Sequence, residues 1–136
     1  GYISALEKAG IPLTPDWIQE GDFSRASGEE AMRRLSGLDK LPEAIVVAND
    51  LMAIGALQVC RELNIRVPED LAIIGMDDID SAQLLGLSSI QMLEDEIGRN
   101  AAELLMDRII NGSRPRKTIR LLPKLSIRAS SEKVNA

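Results

Sequence analysis

The sequence predicts an α/β fold, an open and mostly parallel sheet with helices on both faces, and three observations carry that prediction. Two short apolar runs, Ala44-Ile45-Val46-Val47-Ala48 and Ala72-Ile73-Ile74-Gly75-Met76, each pass directly into polar residues, Asn49-Asp50 and Asp77-Asp78. Such runs read as strands buried on both faces, the pattern of parallel rather than one-sided sheets. Helical periodicity fills the stretches between and around them, and alternation of helix and strand requires parallel pairing through right-handed crossovers. Finally, a 136-residue chain that is 45% hydrophobic but only 2% aromatic can build one substantial core, made from Leu, Ile, Val and Ala.

Taken in order, Tyr2, Ala5, Leu6 and Ala9 recur at helical spacing and Gly10 is placed to end that helix. The chain thus opens in mid-element, as a piece of a longer protein would. After Pro12 and Pro15, residues Trp17 to Glu20 form a short strand candidate, followed by the loop Gly21-Asp22-Phe23-Ser24. A helix with Ala31, Met32 and Leu35 on its inner face leads to the 44–48 strand. The next helix, about 50–63, ends at Asn64, and Val67-Pro68-Glu69-Asp70 turns into the 72–76 strand. Beyond Asp80 a short segment around Ser81–Leu85 leads to Ser88-Ser89-Ile90. A long helix then spans about Asp95 to Ile110, with a stripe of Ile97, Ala101, Leu104, Leu105 and Ile109, and Asn111-Gly112 ends it. Two last strand candidates, 118–122 and 125–128, flank Pro123.

The 50–63 helix is apolar on two sides. Met52, Ala56, Val59, Cys60 and Leu63 suit packing on the sheet, whereas Leu51, Ile54 and Leu57 lie opposite, beside Gln58, Arg61 and Glu62. A second copy of the chain is the expected cover for that face, together with Leu84 and Leu85; a covering loop is the alternative.

Charge and composition exclude several classes. The net charge of −5 argues against a nucleic-acid surface on this chain. The basic cluster Arg114, Arg116, Lys117 and Arg120 follows Asn111-Gly112 and contains Pro115, so it reads as a solvated loop. Cys60 is the single cysteine and there is no histidine, which removes an intramolecular disulfide, a Cys/His nucleophile and a histidine metal site. No stretch approaches the roughly 18 apolar residues of a membrane span and no secretory signal is visible, so the expected location is the cytoplasm. No cofactor is implied.

Ligands of open parallel sheets sit beyond the carboxyl ends of the strands. Asp77 and Asn49 occupy those ends. A carboxylate accepts charge-assisted hydrogen bonds from two adjacent sugar hydroxyls, and a planar amide offers both a donor and an acceptor. Both residues compete with a helix N-cap role; for Asp77, the neighbouring Asp78 can serve as that cap. Phe23, the only phenylalanine, stands in a polar loop where an aromatic can stack on a sugar or purine face. Trp17 and Tyr2 read as packing residues.

The stretch ANDLMAIGAL, the helix to Asn64-Ile65, and VPEDLAIIGMDDID together resemble the lactose-repressor (LacI/GalR) family of bacterial transcription regulators. Gly1-Tyr2 with Ala5-Leu6 and Gly10-Ile11 is similar to that family's helix before the effector loop, and Gly21-Asp22-Phe23 with Ser27-Gly28 to the loop itself. Gly98, Ala101-Ala102 and Leu104-Leu105 resemble its last long helix, and Leu122-Pro123 to Arg128 its closing strand. The resemblance implies a periplasmic-binding-protein-like type I subdomain, truncated at the amino end. Residues 1–91 and 124–131 would form the carboxy-terminal subdomain, and 92–123 the elements that cross to the first subdomain.

It also implies a small-molecule effector, a carbohydrate or nucleoside-like compound, held by Asp77, Asn49 and Phe23. A homodimer would form through Leu51, Ile54, Leu57, Leu84 and Leu85, and operator DNA would be bound only through an amino-terminal domain that this chain lacks. Near Ile90 the chain departs from the family, with Met92-Leu93 where a Gln-Pro crossover is usual. The rival from the same fold is a periplasmic solute-binding protein of a transport system. An enzyme using Asp77, Asp78 and Asp80 as metal ligands ranks below both, because no matching Lys, Gly-rich phosphate loop or His accompanies them.

Overall fold

A computed structural model describes residues 1–112 and 115–132. Its centre is a four-stranded sheet in the order β1 (Ala44–Val46), β2 (Ala72–Met76), β3 (Ser88–Gln91) and β4 (Lys124–Ser126). The first three strands are parallel, with Ile45 opposite Ile73 and Gly75 opposite Ser89, and β4 closes the sheet antiparallel to β3. The expected open, mostly parallel α/β sheet is what forms. Its helices are α1 (Tyr2–Ala9), α2 (Arg25–Ser36), α3 (Asp50–Glu62), α4 (Asp80–Leu84) and α5 (Glu94–Asn111).

Helix α2 is started by Ser24, whose hydroxyl accepts from the Ser27 amide, and it buries Ala31, Met32 and Leu35 as its periodicity requires. Helix α3 buries Met52, Ala53, Ala56, Val59 and Cys60, with Met52 turned toward Gly21 and Gly28 on the α2 side. The same helix sets Gly55 against the backbone of α2. The two helices approach backbone to backbone: a methyl on Gly28 would stand 2.1 Å from the Met52 carbonyl oxygen, and one on Gly55 would stand 2.2 Å from that of Arg25. The core is therefore continuous from Met32 through Val59 to Leu71, Ile73 and Leu87. At the far end of the sheet a buried serine network holds the closing segment. The Ser130 hydroxyl donates to the Ile73 carbonyl at 2.6 Å and accepts from the Ser88 amide at 2.8 Å, so the returning chain is bonded to both β2 and β3.

Several local expectations change. Trp17 to Glu20 is not a strand: Pro15 fixes a 3₁₀ turn over Pro15–Trp17, and Trp17 packs against the core with its indole N–H on the Lys40 carbonyl. The 44–48 strand shortens to 44–46, although the Val47 amide still bonds to Ile74. The 118–122 strand is not formed, and the last one shifts from 125–128 to 124–126, the residues that face Ser89–Gln91. Leu63 caps α3 and is exposed rather than sheet-facing. Tyr2 is exposed and not a packing residue, since none of α1 is buried. The α5 stripe forms at the expected spacing but is uncovered, with Ile97, Leu105 and Ile109 all exposed. Of the basic cluster, Arg116, Lys117 and Arg120 are exposed, and Arg114 lies outside the described residues. No helix among the described residues is long and apolar enough to cross a membrane.

Candidate functional site

The carboxyl ends of β1 and β2 carry Asn49 and Asp77, and the loop before α2 brings Phe23 to the same edge. Asn49 is extended and caps α3, its Oδ1 accepting from the Met52 amide at 3.0 Å. The competing cap role is thus realised, but it does not use up the amide: Nδ2 donates to the Phe23 carbonyl at 2.9 Å. One N–H and one lone pair remain on this side chain by its inventory. Asn49 therefore ties the aromatic loop to the strand end as well as starting the helix.

Phe23 is 63% exposed and has a φ of 67°. A left-handed backbone is uncommon for a bulky residue, and here the polar loop holds it. The Ser24 amide donates to Asp22 Oδ1, and the Asp22 amide donates to the Ser27 hydroxyl. Hydrogen bonds from the hydroxyls of Ser24 and Ser27 hold the Asp22 carboxyl down at about 2, so the loop stays anionic across ordinary pH. Beneath Phe23 lies a cavity of about 200 Å³, lined by Trp17, Met32, Val46, Ala48 and Met52 among others. A second, of about 350 Å³, shares Trp17, Val46 and Ala48 and reaches Met76, the residue before Asp77. Asp77 lines neither; it stands beyond them at the strand end.

Asp77 is exposed, with its amide bonded to the Ile90 carbonyl and a φ of 109°. Partial burial first, then the charges of Asp50 and Glu94, push its carboxyl above the usual carboxylate range. Asp78, also left-handed at φ 57°, turns the other way. It does not cap α4, whose N-cap is Ile79. Instead its nearly buried carboxylate pairs with Arg128 at 2.6 Å and accepts from the Ser126 hydroxyl at 2.9 Å. Those partners, Arg128 first, hold its carboxyl below the usual range. Arg128 also donates to the Leu87 carbonyl. Of the adjacent aspartates, the structure leaves Asp77 open and commits Asp78 to the fold.

Three of the four non-glycine residues with positive φ among the described residues, Phe23, Asp77 and Asp78, belong to this edge. Backbone strain of that kind concentrates at functional sites. The residue that sequence reasoning missed is Asp50. It stands in the first turn of α3 and is fully buried, accepting from the Ser89 hydroxyl at 2.6 Å and the Ile79 amide at 3.0 Å. Its partners lie 39 and 29 positions away, so no local pattern marks it; the glycine inside β2 was the one available signal.

On the far side of α3, Leu51, Leu84 and Leu85 are exposed, while Ile54 and Leu57 are half-buried and pack against the core edge. Ile54, Leu57 and Leu85 line one surface groove with Arg25, Gln58 and Arg61. No group of three or more acidic or cysteine ligands is gathered for a metal among the described residues.

Comparison with known proteins shows the family. The periplasmic binding protein-like domain model matches residues 1–131. The HTH-type transcriptional repressor PurR of Pasteurella multocida is 39% identical over 132 residues, covering 96% of this chain and 40% of the repressor. The same repressor of Mannheimia succiniciproducens is 36% identical, over 98% of this chain and 41% of its own length. This chain thus spans about two-fifths of the curated relatives it matches. Among solved structures, a LacI-type regulator from Bacillus cereus superposes with a TM-score of 0.91 at 31% identity, over 99% of this chain and 49% of that one. The regulator CelR in complex with cellobiose gives 0.86 at 34%, over 96% and 40%.

Proposed function

Because the chain belongs to the periplasmic-binding-protein-like domain family, and is the effector-domain part of a LacI-family regulator, we propose that it binds a small polar ring compound, a carbohydrate before a nucleoside-like one, and dimerises. The observation that carries the reading is the edge where the left-handed residues Phe23 and Asp77 flank Asn49, whose amide bonds the Phe23 carbonyl. Phe23 supplies a face for the apolar side of a ring, Asn49 a remaining donor and acceptor, and Asp77 a charge that accepts from paired hydroxyls. The cellobiose complex of a 34%-identical regulator supports a sugar. Repressors among the relatives support regulation of transcription over solute transport, and with it a cytoplasmic location.

In the longer protein the effector would bridge two subdomains and bias their relative orientation, and with it the presentation of separate DNA-binding heads. The division into 1–91 with 124–131 and an excursion over 92–123 is part of this proposal. Gln91 pairs with Lys124, so that excursion leaves and returns at the carboxyl end of β3, the crevice end of the sheet.

The test is a melting-temperature screen of mono- and disaccharides and of nucleosides at millimolar concentration, followed by calorimetry on the compound found. Asp77→Ala should cost about 1.5–3 kcal/mol of binding, roughly ten- to a hundredfold, with the fold intact. Affinity that Asp77→Ala leaves unchanged would remove the assignment. Leu51, Ile54, Leu57, Leu84 and Leu85 are the proposed self-association face, and Leu57→Glu should turn a dimer into a folded monomer in light scattering.

A further inference from the structure

Gly75 sits in the middle of β2, where a glycine weakens a strand and marks close approach of another group. A methyl there would stand 2.1 Å from Asp50 Oδ1 and 3.3 Å from the Leu87 side chain, so the vacant position is filled by the Asp50 carboxylate. The Asn49 cap places Asp50 at the first position of α3, where the unpaired amides of the helix favour a negative charge. From there the carboxylate crosses β2. Oδ1 accepts from the Ser89 hydroxyl of β3, and Oδ2 accepts from the Ile79 amide in the turn after β2.

That turn is the one carrying Asp77. Two consecutive aspartates in the left-handed region persist only where their surroundings over-determine them. The surroundings are three amide bonds: Asp77 to the Ile90 carbonyl, Asp78 to Ser89 Oγ, and Ile79 to Asp50 Oδ2. Ser89 Oγ is the link between the last two, since it accepts from the Asp78 amide and donates to Asp50. Two of the three restraints therefore run through the Asp50 carboxylate.

We propose that Asp50 is a positioning residue for Asp77, its carboxylate seated over Gly75 so as to lock the 77–79 turn in its left-handed form. The inference deepens the effector-binding reading above and rests on it for its purpose. Helix α3 then begins with one residue, Asn49, bonded to the Phe23 loop and a second, Asp50, bonded to the Asp77 turn. Both walls of the site are indexed to the same helix end.

The experiment is nuclear magnetic resonance on this chain, comparing wild type with Asp50→Asn, Gly75→Ala and Ser89→Ala. Asp50→Asn should speed exchange of the Ile79 amide by at least tenfold and remove the left-handed backbone signature at Asp77 and Asp78. Gly75→Ala, which evicts the carboxylate without altering it, should do the same. A merely structural Asp50 would lower the melting temperature and leave the turn's signature intact, and that result overturns the proposal. If neither variant folds, Ser89→Ala decides: it keeps the charge and the Ile79 bond, and should relax Asp78 while Ile79 stays protected. A turn unchanged in Ser89→Ala overturns the proposal as well. No effector enters these readouts, so their failure is distinct from failure of the effector reading, which Asp77→Ala tests by itself.

Discussion

Helix α3 buries seven of its thirteen residues, whereas α5, with eighteen residues and an apolar stripe of its own, buries none. The difference lies in what each helix connects. α3 joins β1 to β2, parallel neighbours, so a right-handed crossover must lay it on the sheet. α5 joins β3 to β4, which are antiparallel and paired at the point of departure and return. Such a connection can leave the sheet without packing on it. Periodicity sets which side of a helix is apolar; topology sets whether anything in the chain lies opposite.

The two regions meet at Arg128, just after the excursion returns, and this is where the contrast breaks most sharply. Its guanidinium satisfies the nearly buried Asp78 carboxylate and the Leu87 carbonyl. Removing one partner of a buried pair leaves an uncompensated charge, which costs about 3–5 kcal/mol; Arg128 keeps some exposure, so the lower figure is expected for Arg128→Ala. The sign with pH follows from Asp78, whose carboxyl is depressed in the folded state. Its contribution is present above the unfolded value near 3.9 and is lost as pH falls through the lower folded one. In the variant the isolated carboxylate takes up a proton more readily. The gap between wild type and variant in denaturant melts should therefore be widest near neutrality and narrow below about pH 4; a gap that does not depend on pH would assign Arg128 to packing alone.

A truncation in each region sharpens the contrast. Leu71 is fully buried in the core and Leu105 is exposed on α5. Leu71→Ala should cost about 2–5 kcal/mol, while Leu105→Ala should stay within about 0.5 kcal/mol. An equal loss in urea melts would mean that α5 is covered in solution by something in the chain or by a second copy.

Legibility in the sequence follows the same division. The 72–76 strand, the inner face of α2 and the spacing of α5 are local patterns and form as read, while the 44–48 strand forms over its first three residues and Leu63 drops off the inner face of α3. The strand reading of 17–20 fails because Pro15, with its fixed φ, starts a 3₁₀ turn that takes in Trp17. The 118–122 reading fails because a strand needs a neighbour, and no described strand pairs with it. At the candidate site, strand ends and an isolated aromatic single out Asp77, Asn49 and Phe23, and the proposed effector role of these three rests on that reading. Asp50 and Arg128 are not singled out, because their partners, Ser89, Ile79 and Asp78, lie 29 to 50 positions away and only the sheet order brings them near. Exposed polar residues at a strand end announce themselves in the sequence; the buried ones that hold them do not.

The glycines give the smallest and cleanest comparison. Gly55 of α3 and Gly98 of α5 both interrupt helices, and on intrinsic propensity each should gain about 0.5–1 kcal/mol on replacement by alanine. The space around them differs. At Gly55 the methyl would lie 2.2 Å from the Arg25 carbonyl oxygen and 2.9 Å from the Glu29 amide nitrogen, both backbone atoms of α2 that cannot swing aside. At Gly98 nothing lies within 4 Å. Gly55→Ala must separate α2 from α3 and should cost about 1–3 kcal/mol despite the better helix former. It should also disturb the loop at Phe23, since that loop leads directly into α2. Gly98→Ala should keep the propensity gain and raise the melting temperature, because no residue of α5 is buried and nothing described stands where the added methyl would go. Should Gly98→Ala destabilise instead, α5 would be packed in solution, and the contrast with α3 would be one of degree.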